Sequence, residues 1–198
     1  MIAIFDYGSG NLRSAQRAFE RTGENVIVTS DLEVARKSKG LVVPGVGAFA
    51  ACMNQLLKAG GEELIKGRSE KGEAIFGICV GMQVLFSKST EKGNHEGLGI
   101  FEGSVDRLKS PILPQIGWNT VATAANSNLF KGIEDSSFYF VHSYAAHTEE
   151  ESSANSYTTY GEPFLAAVER ENVVATQFHP EKSGGSGLRL IKNWVATL

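Results

Sequence analysis

Short apolar runs alternate along the chain with stretches whose apolar residues recur every three or four positions. Ile2–Phe5 is the first run, and Leu12, Ala15 and Phe19 then fall at i, i+3 and i+7, one face of a helix. Val26-Ile27-Val28 predicts a second strand, and Ser30-Asp31 offers a cap for a short polar helix. Leu41-Val42-Val43 predicts a third strand, closed by Pro44-Gly45. Helical patterns follow from about Ala48 to Leu57 and from about Glu62 to Ser69. Ala74–Ile78 predicts a fourth strand, after which Gly81–Phe86 turns helical. Continuous apolar strands separated by helices imply a parallel sheet covered on both faces.

The second half reads differently. Segments around 97–108, 115–124, 137–144, 157–160, 164–170 and 173–179 are short and rich in β-branched and aromatic residues. Arg170-Glu171-Asn172 reads as a hairpin turn between two of them. The end is helical again, with Leu188, Ile191, Val195 and Leu198 on one face. The expected class is therefore α/β: an open, mostly parallel sheet with flanking helices and an antiparallel extension in the second half. No repeat, low-complexity tract or linker interrupts the 198 residues, so one domain over 1–198 is expected.

Composition narrows the partners. The chain is 42% apolar and 21% charged, with net charge −3, and no basic excess points to nucleic acid or a membrane surface. No apolar run approaches the roughly 20 residues of a membrane span. Met1–Asp6 is too short and too soon polar for a signal peptide. Two cysteines, Cys52 and Cys79, are too few for a disulfide framework, and a cytoplasmic location is expected. Neither has a second Cys or His at ligand spacing, so no metal is expected. Gly8-Ser9-Gly10 follows the first strand, but the third glycine of a dinucleotide fingerprint would fall at Arg13, so no cofactor is inferred.

Two segments carry the candidate chemistry. Gly77-Ile78-Cys79-Val80-Gly81 follows a strand and precedes a helix, the pattern of a nucleophile elbow with cysteine for serine. A thiol at a helix N-terminus is favoured as thiolate, and the Val80 N–H can face a developing oxyanion. Gln177-Phe178-His179-Pro180-Glu181 puts a histidine and a carboxylate two positions apart on an extended segment, sharing one face. Glu181 would orient His179, and His179 would take the Cys79 proton. Pro44-Gly45-Val46-Gly47 ends the third strand, and its Gly47 would share the rim with Cys79 as an oxyanion donor. Cys52 lies in a helical run and reads as packing. His95, His142 and His147 lack a carboxylate partner at this spacing, and Glu149-Glu150-Glu151 beside His147 reads as a solvated loop.

The motifs Gly-Ile-Cys-x-Gly-Met-Gln (Gly77–Gln83) and Phe-His-Pro-Glu (Phe178–Glu181) resemble those of the class I, triad-type glutamine amidotransferases. Asp6–Leu12, Pro44–Phe49, Ile116-Gly117-Trp118-Asn119 and His179–Ser183 are similar to the glutaminase subunits of imidazole glycerol phosphate synthases within that family. The resemblance runs from Asp6 to Ser183. It implies that Cys79 attacks the glutamine side-chain amide, forming a thioester, and that Gly47 and Val80 stabilise the oxyanion. It implies that Gly45, Gln83, His142, Ser143 and Tyr144 line the glutamine pocket. It also implies transfer of ammonia to a (β/α)₈ cyclase subunit in a 1:1 heterodimer, with Asn11, Trp118, Asn119 and Lys182 at the interface. The products would be imidazole glycerol phosphate and an aminoimidazole carboxamide ribonucleotide. The Pro44–Gly47 loop is expected to be misaligned until the partner binds its substrate. Pro114-Gln115 stands where the family often has Pro-His. A related subunit serving another ammonia acceptor, a stand-alone thiol hydrolase and a non-enzymatic relative of the same fold are the alternatives. His179 and Glu181 argue against the last.

Overall fold

A computed structural model describes residues 1–149 and 152–198; Glu150 and Glu151 of the acidic run lie outside the described residues. The first half alternates as the apolar pattern predicts. Strands β1 (Ile2–Phe5), β2 (Val26–Thr29), β3 (Gly40–Gly45) and β4 (Ala74–Cys79) are joined through helices α1 (Leu12–Glu20), α2 (Leu32–Arg36), α3 (Phe49–Lys58) and α4 (Gly61–Glu70). Asp31 caps α2 by accepting the Glu33 and Val34 N–H groups. The short helix α5 (Val80–Gln83) follows β4 directly. The second half supplies β5 (Phe86–Ser89), β6 (His95–Glu96), β7 (Phe101–Arg107), β8 (Gln115–Thr120), β9 (Ser137–His142), β10 (Tyr144–His147), β11 (Ala154–Tyr160), β12 (Glu162–Arg170), β13 (Val173–Thr176) and helix α6 (Gly184–Val195).

Among the described residues, seven strands make the central sheet in the order β11-β12-β13-β4-β3-β1-β2. From β13 to β2 the pairing is parallel, and β12 and β11 extend it antiparallel. The Arg170–Asn172 turn joins β12 to β13, with Glu171 at φ 51°. A four-stranded sheet, β10-β7-β5-β6, and the ribbon β8-β9 complete the second half. The strands β1, β3, β4 and β13 are almost wholly buried, as a sheet covered on both faces requires. On one face Trp194 of α6 meets Phe19 and Phe76 with ring centroids 5.7 and 5.3 Å apart. On the other, Phe5 and Leu56 crowd Gly61 so closely that a Cβ there would lie 2.8 and 2.7 Å from them.

Four expectations need correction. The helix after Cys79 ends at Gln83, and Phe86 opens a strand that pairs with Phe101. Gly97 passes close over the Phe86 carbonyl, where a Cβ would come within 2.0 Å, and this seats Phe86 in the second sheet. The segment 137–144 breaks at Ser143, with β9 and β10 in different sheets. The stripe of α6 that is buried is Gly187, Leu190, Ile191 and Trp194, while Leu198 lies beyond the helix and is exposed. Gly187 sets that rotation by packing on the Pro180 carbonyl, 1.9 Å from where a Cβ would stand. The strand expected over 173–179 stops at Thr176.

Arg68, fully buried on α4, ties this frame together below the sheet. Its guanidinium donates to the carbonyls of Ala35 and Arg36 at the end of α2, of Ser38 beyond it and of Ala74 on β4, at 3.1–3.2 Å, and pairs with Glu73 at 3.3 Å. Arg68→Met leaves these carbonyls without a buried donor. The expected loss is about 3 kcal/mol, read as a lower urea midpoint at unchanged slope.

Candidate active site

β3 and β4 lie side by side with Gly45 in register with Cys79, so the two loops following them share one rim. Cys79 has φ 56° and ψ −114°, a conformation that L-residues rarely hold. The flanking glycines make it possible. A Cβ on Gly81 would sit 1.9 Å from the Val43 carbonyl oxygen, and one on Gly45 would sit 2.4 Å from the Gly81 nitrogen. The helix start therefore lies directly on β3. Val80 is the first residue of α5, where an N–H has no partner inside the helix.

His179 reaches Cys79 from the far half of the sequence because β13 pairs with β4. Its backbone is clamped on both sides: its N–H donates to Tyr139 O at 2.9 Å, and its carbonyl accepts from Ser183 Oγ at 2.7 Å. Phe178, just before it, stacks on Phe138 with centroids 4.4 Å apart and meets Phe130 and Phe140 edge-on. His179 Nδ1 donates to Glu181 Oε1 at 2.8 Å, with both side chains only 3% exposed. The two do not meet by the strand alternation that the sequence predicts. Glu181 sits in a 3₁₀ turn, Pro180–Lys182, which swings the carboxylate back under the ring. Burial pulls the imidazolium pKa down, but the Cys79 and Glu181 side chains outweigh it and raise it to about 10. Nε2 is buried and makes no hydrogen bond.

A cavity of about 410 Å³ opens over the thiol. Gly47, Cys79, Val80, Gln83, His142, Ser143, Tyr144 and His179 line it, and Gly45 lies one step below on β3. Gln83 Nε2 donates to Tyr144 O at 2.9 Å, and His142 Nδ1 donates to the same oxygen at 2.9 Å. Burial holds His142 neutral, its pKa lowered to about 4, so Nε2 is a bare acceptor. Sequence reasoning missed Glu91, Lys92 and Arg107 at the mouth. Glu91 comes from the β5–β6 turn and accepts the Phe49 N–H at 2.7 Å, supplying the cap that Ala48 cannot give α3. No local pattern announces a residue that acts on a helix forty positions away.

The loop beside the thiol is held from beneath. Val46 N–H donates to Ser9 Oγ at 3.2 Å, and Val46 O accepts from Ser9 and from the Cys52 thiol, each at 3.1 Å. Tyr7 hydroxyl donates to Pro44 O. Burial pushes the Cys52 thiol up, keeping it a proton donor. Cys52 thus packs, as expected, and also anchors this loop. Gly8-Ser9-Gly10 belongs to the anchor. Gly47 has φ 91° and open space around its Cα.

The expected interface residues divide. Trp118 is 58% exposed, together with Ile112 and Ile116 at 70% and 64%. Its ring packs edge-on against Tyr139. Lys182 is exposed in the 3₁₀ turn. Asn11 caps α1 by accepting the Ser14 N–H, and the Asn119 amide donates to Thr159 O at 3.0 Å. Gln115 is buried opposite His142 in the β8–β9 ribbon. Among the described residues no cluster of three His, Cys, Asp or Glu could hold a metal ion, and no helix is long and apolar enough to cross a membrane.

A glutamine amidotransferase class-I family model matches residues 3–198. The imidazole glycerol phosphate synthase subunit HisH of Mycobacterium bovis is 53% identical over 198 residues, spanning 98% of this chain and 96% of that protein. The subunit of the same name from Thermobifida fusca is 49% identical over 207 residues, spanning 100% of this chain and 98% of its own. The crystal structure of a glutamine amidotransferase has the same fold, with TM-score 0.79 at 21% identity, covering 100% of this chain and 99% of that one.

Neutral His142 has a consequence for acid stability. Below pH 6.5 the unfolded chain takes up a proton that the folded chain refuses until about pH 4, so stability is lost across that window. His179 adds no slope there, since its contribution is fully present below 6.5. Urea unfolding at pH 7, 5.5 and 4 is expected to show a loss of roughly 3 kcal/mol from this group, absent in His142→Gln. Parallel curves for the two proteins would contradict it.

Proposed function

The chain belongs to the class-I glutamine amidotransferase family, and on that premise we propose that Cys79, His179 and Glu181 are the working triad of the glutaminase subunit of imidazole glycerol phosphate synthase. The observation that carries this reading is the strained Cys79 elbow set beside an imidazolium that Glu181 anchors, at the floor of one cavity. Glutamine enters over Gln83, His142, Ser143 and Tyr144, with Gly45 behind the reacting carbon. The Cys79 sulfur, its proton passed to His179, adds to the side-chain amide carbon. The oxygen takes the negative charge facing the Val80 and Gly47 N–H groups. His179 returns the proton to the departing nitrogen, ammonia leaves, and a thioester remains. Water then adds, giving its proton to His179, and glutamate departs as the sulfur leaves. Glu181 fixes the ring so that Nε2 is the nitrogen that exchanges protons.

The ammonia acceptor is a second subunit, proposed as a (β/α)₈ cyclase in a 1:1 pair. It would use the ammonia to form imidazole glycerol phosphate and the aminoimidazole carboxamide ribonucleotide of histidine synthesis. Exposed Ile112, Ile116 and Trp118, in the segment whose Pro114 lines the cavity, favour this over a stand-alone thiol hydrolase, which needs no apolar face there. Asn11, Asn119 and Lys182 would complete the contact, the two asparagines by holding α1 and β8 in place. The proposed setting is the cytoplasm, and the two free, buried thiols support it. The commitment of Val46 N–H to Ser9 supports a loop that the partner must release for full activity.

Glutamate release from glutamine, measured on the chain alone and with the cyclase subunit and its nucleotide substrate, tests the whole reading. Weak activity that rises at least tenfold in the mixture is expected. Cys79→Ala abolishes glutamine-dependent synthesis by the complex and leaves ammonia-dependent synthesis intact; loss of both in an assembled complex would refute the two-site scheme. Trp118→Ala is expected to weaken subunit binding by tenfold or more, seen by titration calorimetry, while iodoacetamide still labels Cys79 at the original rate.

A further inference from the structure

Gln177 lies between β13 and His179, is fully buried, and does not line the cavity. Its Nε2 donates to Cys79 Sγ at 3.8 Å, and its Oε1 accepts from Gln83 Nε2 at 3.0 Å. Gln83 spends its other hydrogen on Tyr144 O at 2.9 Å. These bonds settle one another's direction. A carbonyl only accepts, so Tyr144 turns the Gln83 NH₂ inward. That NH₂ needs a second acceptor and finds Gln177 Oε1. The Gln177 NH₂ is thereby left facing the sulfur. A donor buried there is satisfied only if the sulfur accepts, and an anionic acceptor makes such a bond roughly twice as strong.

We propose that Gln177 is a positioning residue of the glutaminase reaction, holding the Cys79 sulfur as thiolate and linking it to the pocket wall through Gln83. The inference rests on the glutaminase reading above. Gln83 lines the cavity, so substrate that engages its amide is two hydrogen bonds from the nucleophile. Bonds in such a chain strengthen one another in a dry site. The chain runs from Tyr144 O through two amides to sulfur, bridging the second sheet to the β4–α5 elbow.

The test is iodoacetamide labelling of Cys79 against pH in the assembled complex, located by mass spectrometry, for the wild type, Gln177→Met and Gln177→Glu. Met keeps the volume and removes both bonds; Glu keeps the acceptor for Gln83 and removes the donor to sulfur. Both variants are expected to label about tenfold more slowly at neutral pH, with the profile displaced to higher pH. Their kcat for glutamate release falls by at least that factor, and KM rises only in Gln177→Met. A purely structural role would leave the pH profile in place. Independently of any variant, the Gln177 side-chain amide resonance in the ¹⁵N-labelled wild type must shift when Cys79 is alkylated. Folded variants with the wild-type profile, or a resonance that does not move, overturn the proposal. A wild-type complex that releases no glutamate overturns the glutaminase reading instead, and the labelling profiles still decide the role of Gln177.

Discussion

Everything at this site depends on how closely the chain folds back over β3 after Cys79. The Gly81 backbone lies against the Val43 carbonyl with no room for even a methyl group, and Gly45 meets the Gly81 nitrogen from the other side. That contact fixes the start of α5 over the sheet and forces Cys79 into its left-handed conformation. The strain is sustained because β4 is paired on both sides, by β3 and β13, and cannot relax without breaking the middle of the sheet. The same two pairings bring the Pro44–Gly47 loop and His179 to the sulfur from opposite flanks.

Around this rigid elbow the polar groups divide into two circuits. One runs beneath the loop, through Tyr7, Ser9 and Cys52, and is built from hydroxyls and a protonated thiol. The other runs through Tyr144 O, which accepts from both Gln83 and His142. The first is a set of weak donors on a backbone segment that ends at Gly47, where φ is 91°. The second is a pair of amides and a neutral imidazole set among packed strands. Burial pulls both histidines toward the neutral form, and their partners decide the outcome. His142, with only a carbonyl for company, is kept neutral; His179, with a carboxylate and a thiol, is kept charged.

Much of this was legible in the sequence because the signals were local. The β1–β4 alternation, the Asp31 cap, the Gly-x-Cys-x-Gly elbow and the Arg170–Asn172 turn each depend on a few neighbouring residues. The errors arose where distant contacts decided the outcome. Phe86 reads as helix because nothing nearby reveals Gly97 packing over its carbonyl. The α6 pattern points to a different stripe because Gly187, with no side chain to score as apolar, is the residue in closest contact. His179 and Glu181 meet through a turn that starts at the proline between them, where the pattern predicts strand alternation. Gln177 stood inside a quoted motif without a role, and Glu91 stood outside every motif. Their partners are 98 and 42 positions away.

The order of strands in the central sheet separates Cys79 from His179 in time as well as in sequence. β4 is made well before its neighbour β13, and His179 follows β13. During synthesis the elbow has no second flank until the chain has grown from Cys79 to Val173. Contacts of such long range form late, after the local units have collapsed. Cys79 therefore lacks its His179 neighbour throughout that stretch of growth. The strained elbow and the imidazole come together only with closure of the sheet, so a fragment ending before β13 holds the cysteine without the histidine that faces it.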